Sequence, residues 1–358
     1  MTGLFTNTIA ESTSGSGITF SNDIVPATPL SHRNIIINGA HQIAQRATTT
    51  APTPKGANDA GYYITDRWRL ASGGTTPARF NLIQADVTDL SGFSKALQID
   101  CTTASASPGA DDEVRISQRI EGFNVQQIGK GHSDAKAITI SFYVKGTASR
   151  TYMVELADNT NGEICQQQFS VTSSWVRHTV TFPARTSGKL ANTNANVMEL
   201  SFFLHAGSDR TSGSYNANTW KSTVTADRAV GLSGSGAGLM ATTSDELFIT
   251  GIQMEVGSVA TPFEHRSYAD ELQSCLRYFE DHKGVNIHGG LYTTGLHLAN
   301  WYYKVRKRTR PTITVTGDAS YSDAFNTSSN DDGGTDAAYF SKTSASLYVV
   351  RVTANAEL

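Results

Sequence analysis

The chain has 358 residues and a formal net charge of −3, with 39% hydrophobic residues, 17% charged residues and 31 glycines. The length admits two domains, or one large domain with an appendage. The weak negative balance argues against nucleic-acid binding, which normally shows a basic face.

Residues 1–31 are polar, with the apolar pairs Ile18/Phe20 and Ile24/Val25. The segment cannot build its own core. It reads either as a disordered tail or as an arm that orders against a neighbour, with Ile18, Phe20, Ile24 and Val25 as the anchoring candidates. His32–Gly39 opens the main body, where an apolar triplet closed by Asn38-Gly39 predicts a buried strand entering a turn. In Tyr63–Leu70 the residues Ile64, Trp68 and Leu70 share one parity and point the same way from a predicted strand.

Further period-two segments follow. Leu97, Ile99 and Cys101 form one set, and Val114 with Ile116 another. Ile138, Ile140, Phe142 and Val144 alternate with polar or larger neighbours and give the cleanest signal. Tyr152/Val154/Leu156, Val176/Val180/Phe182 and Met198/Leu200/Phe202/Leu204 repeat it, and Phe248/Ile252/Met254/Val256 is the last set. One apolar face per strand predicts two antiparallel sheets packed together. Residues 208–244 are poor in apolar side chains and predict a long surface loop, with a short strand around Trp220.

A helix is predicted over Tyr268–Asp281, with Ser267 as its cap and Asp270 in the capping-box position. Tyr268, Leu272, Cys275, Leu276 and Phe279 fall on one stripe, which either plugs the end of its own sandwich or packs at a trimer axis. Glu264, His265 and Arg266 form a polar seam beside it. After the His282-Lys283-Gly284 turn the chain returns to short alternating segments. The fold class is therefore all-β: an antiparallel β-sandwich (jelly roll) with one closing helix and a smaller C-terminal β-domain. The boundaries fall at 1–31, 32–283 and 284–358.

Cys101, Cys165 and Cys275 are odd in number and far apart, so neither a disulfide framework nor a zinc site is expected, and the usage fits assembly in a reducing cytoplasm. No signal peptide or bilayer-spanning stretch is expected. No nucleophile-elbow, Walker, dinucleotide or His-Glu-x-x-His motif occurs. His282, His288 and His297 are weak metal candidates, and 330–336 lacks the register of a calcium loop. No metal and no cofactor is expected. Asp111, Asp112 and Glu113 are the carboxylates a glycan hydrolase would need. The basic run Lys304–Arg310 reads as the solvated side of a strand, or as a contact with an acidic partner or anionic glycan.

Aromatic residues are the better lead, because a sugar ring lays its C–H face on a π-face while its hydroxyls need polar neighbours. The glycan-binding candidates are Trp220, which otherwise anchors its loop, and Trp301, Tyr302 and Tyr303. The last three are consecutive, so at least one should be exposed. Trp68 and Trp175 are expected in the core.

Five pieces of the chain carry a resemblance: His32–Arg46, Gly61–Leu70, Ile138–Gly146, Ile249–Glu280, and Lys304–Val315 together with Thr353–Leu358. The fourth, ITGIQMEVGSVATPFEHRSYADELQSCLRYFE, is the most specific. Together they resemble segments of bacteriophage tail-fibre and minor virion structural proteins. The resemblance implies a carbohydrate-binding-module-like jelly roll on the virion, commonly a homotrimer. The expected function is a non-enzymatic short tail fibre or receptor-binding protein that contacts host surface glycans. The alternatives are a capsid decoration protein or head fibre anchored through residues 1–31, and then a glycan depolymerase. Its expected partners are copies of itself, other virion proteins and host glycan, without nucleic acid or membrane insertion.

Overall fold

The computed structural model describes residues 32–286, 290–293, 296–316, 335–342 and 349–358, apart from 57, 76–77, 106, 108 and 233–237; its account of side chains leaves out 284–300 and 315–350. The anchoring candidates Ile18, Phe20, Ile24 and Val25 lie outside the described residues. In chain order the sandwich strands are β1 (Gly61–Tyr62), β2 (Arg69–Gly73), β3 (Arg79–Asp86), β4 (Lys95–Thr103), β5 (Glu113–Glu121), β6 (Ile138–Gly146), β7 (Arg150–Asp158), β8 (Glu163–Val171), β9 (Val176–Phe182), β10 (Asn196–Ala206), β11 (Lys221–Ser222) and β12 (Glu246–Val256). They form a seven-stranded sheet, β1-β2-β5-β10-β7-β8-β11, and a five-stranded sheet, β3-β4-β12-β6-β9. Neighbouring strands in both sheets run antiparallel.

The alternation read from the sequence builds the core between these sheets. Ile138, Ile140, Phe142 and Val144 are all buried, as are Leu97, Ile99, Cys101, Met198, Leu200, Phe202 and Leu204. Phe142 of one sheet meets Phe202 and Phe169 of the other edge-on, at 5.0 Å between ring centroids in each case. Each such side chain contributes about 1.5–3 kcal/mol by leaving water. The cysteines are free and buried, as small apolar fillers.

Two predicted strands are not strands. Ile35 and Ile36 are buried, but Asn34 replaces the ladder: its side-chain oxygen accepts from the N–H groups of Ile36 and Met254, each at 3.0 Å. Ile64 and Trp68 are also buried, yet the chain turns between them, with Arg67 at φ +72°. Parity happens to agree there because both ends of the turn face the core.

The last apolar set, Phe248 to Val256, does not share one face. Leu247 and Ile249 point inward and Phe248 points outward, whereas beyond the bulge Ile252 and Met254 are the residues that join the core. The register of β12 against β6 shifts between Thr250 and Gln253, and Gly251 sits in that shift at φ +61°. One extra residue on the bulged strand reverses the parity, so Phe248 and Ile252 lie on opposite faces although their numbers differ by four.

Between β10 and β12 the loop carries a short helix, α1 (Ser208–Thr211), and β11, which pairs with β8 directly after Trp220. The closing helix α2 (Tyr268–Leu276) starts as expected: Ser267 Oγ accepts from the Asp270 N–H at 3.1 Å. It is shorter than predicted. Phe279 already belongs to β13 (Phe279–Asn286), whose pairing with a later strand overrides helix propensity. Cys275 and Leu276 are buried within the chain's own fold, while Tyr268 at the start of the stripe is exposed.

The remaining strands are β14 (Gly290–Thr293), β15 (Leu296–Lys307), β16 (Thr312–Thr316), β17 (Thr335–Lys342) and β18 (Val349–Asn355). They make two three-stranded sheets, β13-β18-β16 and β14-β15-β17. Position 284 falls inside β13, where His282-Lys283-Gly284 is an irregularity in the ladder rather than a turn. The basic run is split: Lys304 and Arg310 are exposed, whereas Lys307 and Arg308 are taken up by the fold. Lys307 is fully buried against Glu280 at 2.7 Å. The Arg308 guanidinium donates to the carbonyls of Asn194, Ala356 and Glu357. The charges knit the C-terminal strands to α2 and the sandwich. Among the described residues no helix is long and apolar enough to cross a membrane.

Candidate functional site

The five-stranded sheet turns its second face away from the core, and the ladder lines up a row across that face. Phe248 of β12 lies opposite Gln98 of β4 on one side and Lys145 of β6 on the other. Their chain neighbours Leu97, Ile99, Leu247, Ile249 and Val144 are buried inside, so Gln98, Phe248 and Lys145 stand outside, half-buried. Trp175, directly before β9, completes the row: Lys145 Nζ lies 5.0 Å from the Trp175 ring centroid and 5.1 Å from that of Phe248. The two rings meet edge-on at 6.4 Å.

Polar groups fix these rings. The Trp175 indole N–H donates to Asp89 Oδ1 at 2.9 Å, and Lys145 Nζ donates to Asp89 Oδ2 at 2.6 Å. Hydrogen bonds from Lys145 and then Trp175 hold the exposed Asp89 carboxyl below its ordinary value. At the other end of the row Gln98 Nε2 donates to Glu246 Oε1 at 2.7 Å. One step along the strands Tyr143 packs on Phe93 at 5.2 Å, with the Arg177 guanidinium 5.9 Å from the Tyr143 ring centroid. Phe93 also meets Phe263 at 5.1 Å and His265 at 5.4 Å. The arrangement combines rings at the surface with an amide, carboxylates and an ammonium beside them. Chemically it can receive the apolar face of a ring-shaped polar molecule and hydrogen-bond its rim.

The residues singled out from sequence are placed differently. Trp220 is 8% exposed; its indole donates to the Pro183 carbonyl at 2.8 Å and Lys130 lies 5.2 Å over its ring. Its faces are closed to a ligand, and it anchors its loop on the sandwich. Trp301 and Tyr303 are buried against each other, at 5.2 Å and edge-on, and His282 packs on Trp301. Tyr302 points the opposite way and is 71% exposed, as alternation along β15 requires. Of the four aromatic candidates it alone presents a free ring. Of the carboxylate cluster Asp111 is exposed, while Asp112 and Glu113 are taken up by the fold. Asp112 accepts from the N–H groups of Gly109 and Thr75, and Glu113 pairs with Arg210 at 2.6 Å. The side chains of His288, His297 and 330–336 lie outside those described. Among the described residues no three His, Cys, Asp or Glu side chains gather as a metal site. Arg266 does form the seam beside α2, pairing with Glu264 and Glu271 at 3.7 Å each.

Sequence reading missed the row because it put Phe248 and Trp175 in the core. Two signals were present. Gly251 in mid-strand marks a bulge, and Trp175 has the parity opposite to the inward residues Val176 and Val180.

No family model and no curated protein matches the chain. Among solved structures it is similar to a CBM4 module, at 14% identity and TM-score 0.32, over 61% of this chain and 97% of that one. It is similar to TmCBM61 in complex with β-1,4-galactotriose, at 10% identity and TM-score 0.31, over 63% and 99%. A third is the N-terminal cellulose-binding domain of Cellulomonas fimi β-1,4-glucanase C, at 13% identity and TM-score 0.29, over 61% and 100%. The fold assignment rests on the strand ladders described above.

Proposed function

We propose that the chain is a non-catalytic virion protein of a bacterial virus, a homotrimeric short tail fibre or receptor-binding protein that holds host-surface glycan on the outer face of its five-stranded sheet. The observation that carries this reading is the row Gln98–Phe248–Lys145–Trp175, in which two rings are kept at the surface by a cross-strand ladder and an Asp89 clamp. The resemblance of Ile249–Glu280 to phage tail-fibre and minor virion proteins supplies the virion setting. Of the three carboxylates Asp111, Asp112 and Glu113, the fold engages Asp112 and Glu113, which weighs toward binding over hydrolysis.

The test is binding of the purified protein to host cells and to their extracted surface polysaccharide, with Trp175→Ala alongside. Retention by the polysaccharide, lost in the variant and without shortening of the polymer, is the expected result. Binding that Trp175→Ala leaves intact overturns the assignment of the face. Antibody labelling of the particle separates a tail position from a capsid one.

A further inference from the structure

We infer that the glycan held by this face is an uncharged, extended oligosaccharide rather than an acidic one. The inference rests on the glycan-binding reading above and adds the class of ligand.

Charge sets the first constraint. The cations nearest the row are already committed: Lys145 to Asp89 at 2.6 Å, and Arg177 to the Ser141 hydroxyl at 3.2 Å and the Thr261 carbonyl. Three carboxylates, Asp89, Glu246 and its cross-strand neighbour Asp100, flank the row against two cations, Lys145 and Arg177; the neutral partners of Arg177 leave its charge in place. A uronate, sialate or sulfate approaching the rings meets more negative than positive charge, and must pull Lys145 from its partner. A hydroxyl meets no such penalty, because it donates to a carboxylate and accepts from an amide or ammonium. Half-buried rings lower the local polarity and sharpen this preference.

Length sets the second. From Gln98 to Trp175 the row crosses three inter-strand steps, about 14 Å, with polar groups at both ends and rings toward one of them. That span suits several linked rings lying across the strands. A single terminal sugar would use one ring and leave the Gln98–Glu246 end untouched.

The experiment is an array of neutral and acidic bacterial-surface oligosaccharides, probed with the full-length protein, Trp175→Ala and Asp89→Asn at low and at high salt. The Asn amide oxygen still accepts from the Trp175 indole, while Lys145 loses its counter-charge. The intact protein is expected to retain neutral chains equally at both salt levels, with affinity rising from mono- to trisaccharide. Asp89→Asn should gain about fivefold for acidic members, the worth of one exposed charge pair near 4 Å. A preference of the intact protein for acidic chains that fades in high salt overturns the uncharged assignment and leaves glycan binding standing. Failure to bind any member, or binding indifferent to Trp175→Ala in a folded variant, overturns the underlying reading and this inference with it.

Discussion

Phe248 and Lys145 face each other across neighbouring strands, and the ammonium lies 5.1 Å from the centroid of a ring that sequence parity groups with the inward Ile252 and Met254. That relationship exists because Gly251 reverses the strand's alternation. The same ammonium also lies 5.0 Å from the Trp175 ring centroid and so links the two rings.

The first prediction separates binding from folding at Trp175. The side chain is half-buried outside the main core and packs on Phe248, Lys145 and Asp89. Trp175→Ala should cost about 1 kcal/mol of stability and lower polysaccharide affinity about tenfold or more, the loss of a stacking ring. Paired urea melts and binding isotherms check it. A variant that loses stability and affinity in the same proportion would assign Trp175 to packing alone.

At Gly251 a Cβ would meet Phe93 ring atoms at 2.7 and 2.8 Å, on a backbone at φ +61°. Gly251→Val therefore combines steric overlap with a left-handed conformation that a β-branched residue resists. A destabilisation of about 2–4 kcal/mol is expected. Phe93 and Tyr143 should move with it, visible as a change in the near-ultraviolet circular dichroism of the aromatic face. An unperturbed melting temperature would show that the bulge is dispensable.

Lys307 and Glu280 form a pair with both side chains at 0% exposure, and Lys307 also donates to the Leu276 carbonyl. Burial lowers the Lys307 pKa against the pull of Glu280. Removing one partner strands the other charge, so Lys307→Met alone should cost about 3–5 kcal/mol. Lys307→Met with Glu280→Leu should recover much of that loss. Chemical denaturation of the two single variants and the double variant measures the coupling, and additive losses would refute it.

Asp66 gives a pH dependence with a defined sign. Burial is the largest influence on its carboxyl and raises the pKa from 3.8 to about 6, against the opposing Arg46 charge and Gln45 hydrogen bonds. The folded state thus binds the proton more tightly than the unfolded chain. The Asp66 contribution is most favourable below about pH 4 and is lost as pH rises through about 6. His41 acts in the other direction: burial lowers its pKa to about 3, so its contribution is lost as pH falls below 6.5. The difference between the intact protein and Asp66→Asn isolates the first effect. The variant should gain relative stability between pH 4 and pH 7, read from denaturation midpoints, and a flat difference would show that Asp66 keeps its ordinary pKa.

Much of the architecture was legible from residue order. Alternation at 138–144 and 198–204 identifies inward faces because a strand deals side chains to two sides at fixed period and only one side can leave water. Ser267 and Asp270 announce the start of α2 because a cap is a local hydrogen bond between neighbours in the chain. The aromatic pair at 302 and 303 had to split between two faces for the same local reason.

Tertiary structure decided the rest. A bulge at Gly251 changes which residues share a face, through pairing with a strand more than a hundred residues away. The end of α2 is set by β18, which recruits Phe279. Whether a basic run is solvated or buried depends on a carboxylate such as Glu280 arriving beside it. The row of Gln98, Phe248, Lys145 and Trp175 joins positions from four separate parts of the chain. Local periodicity chooses the strands, but their mutual register, which is a property of long-range hydrogen bonding and packing, chooses the surface they present.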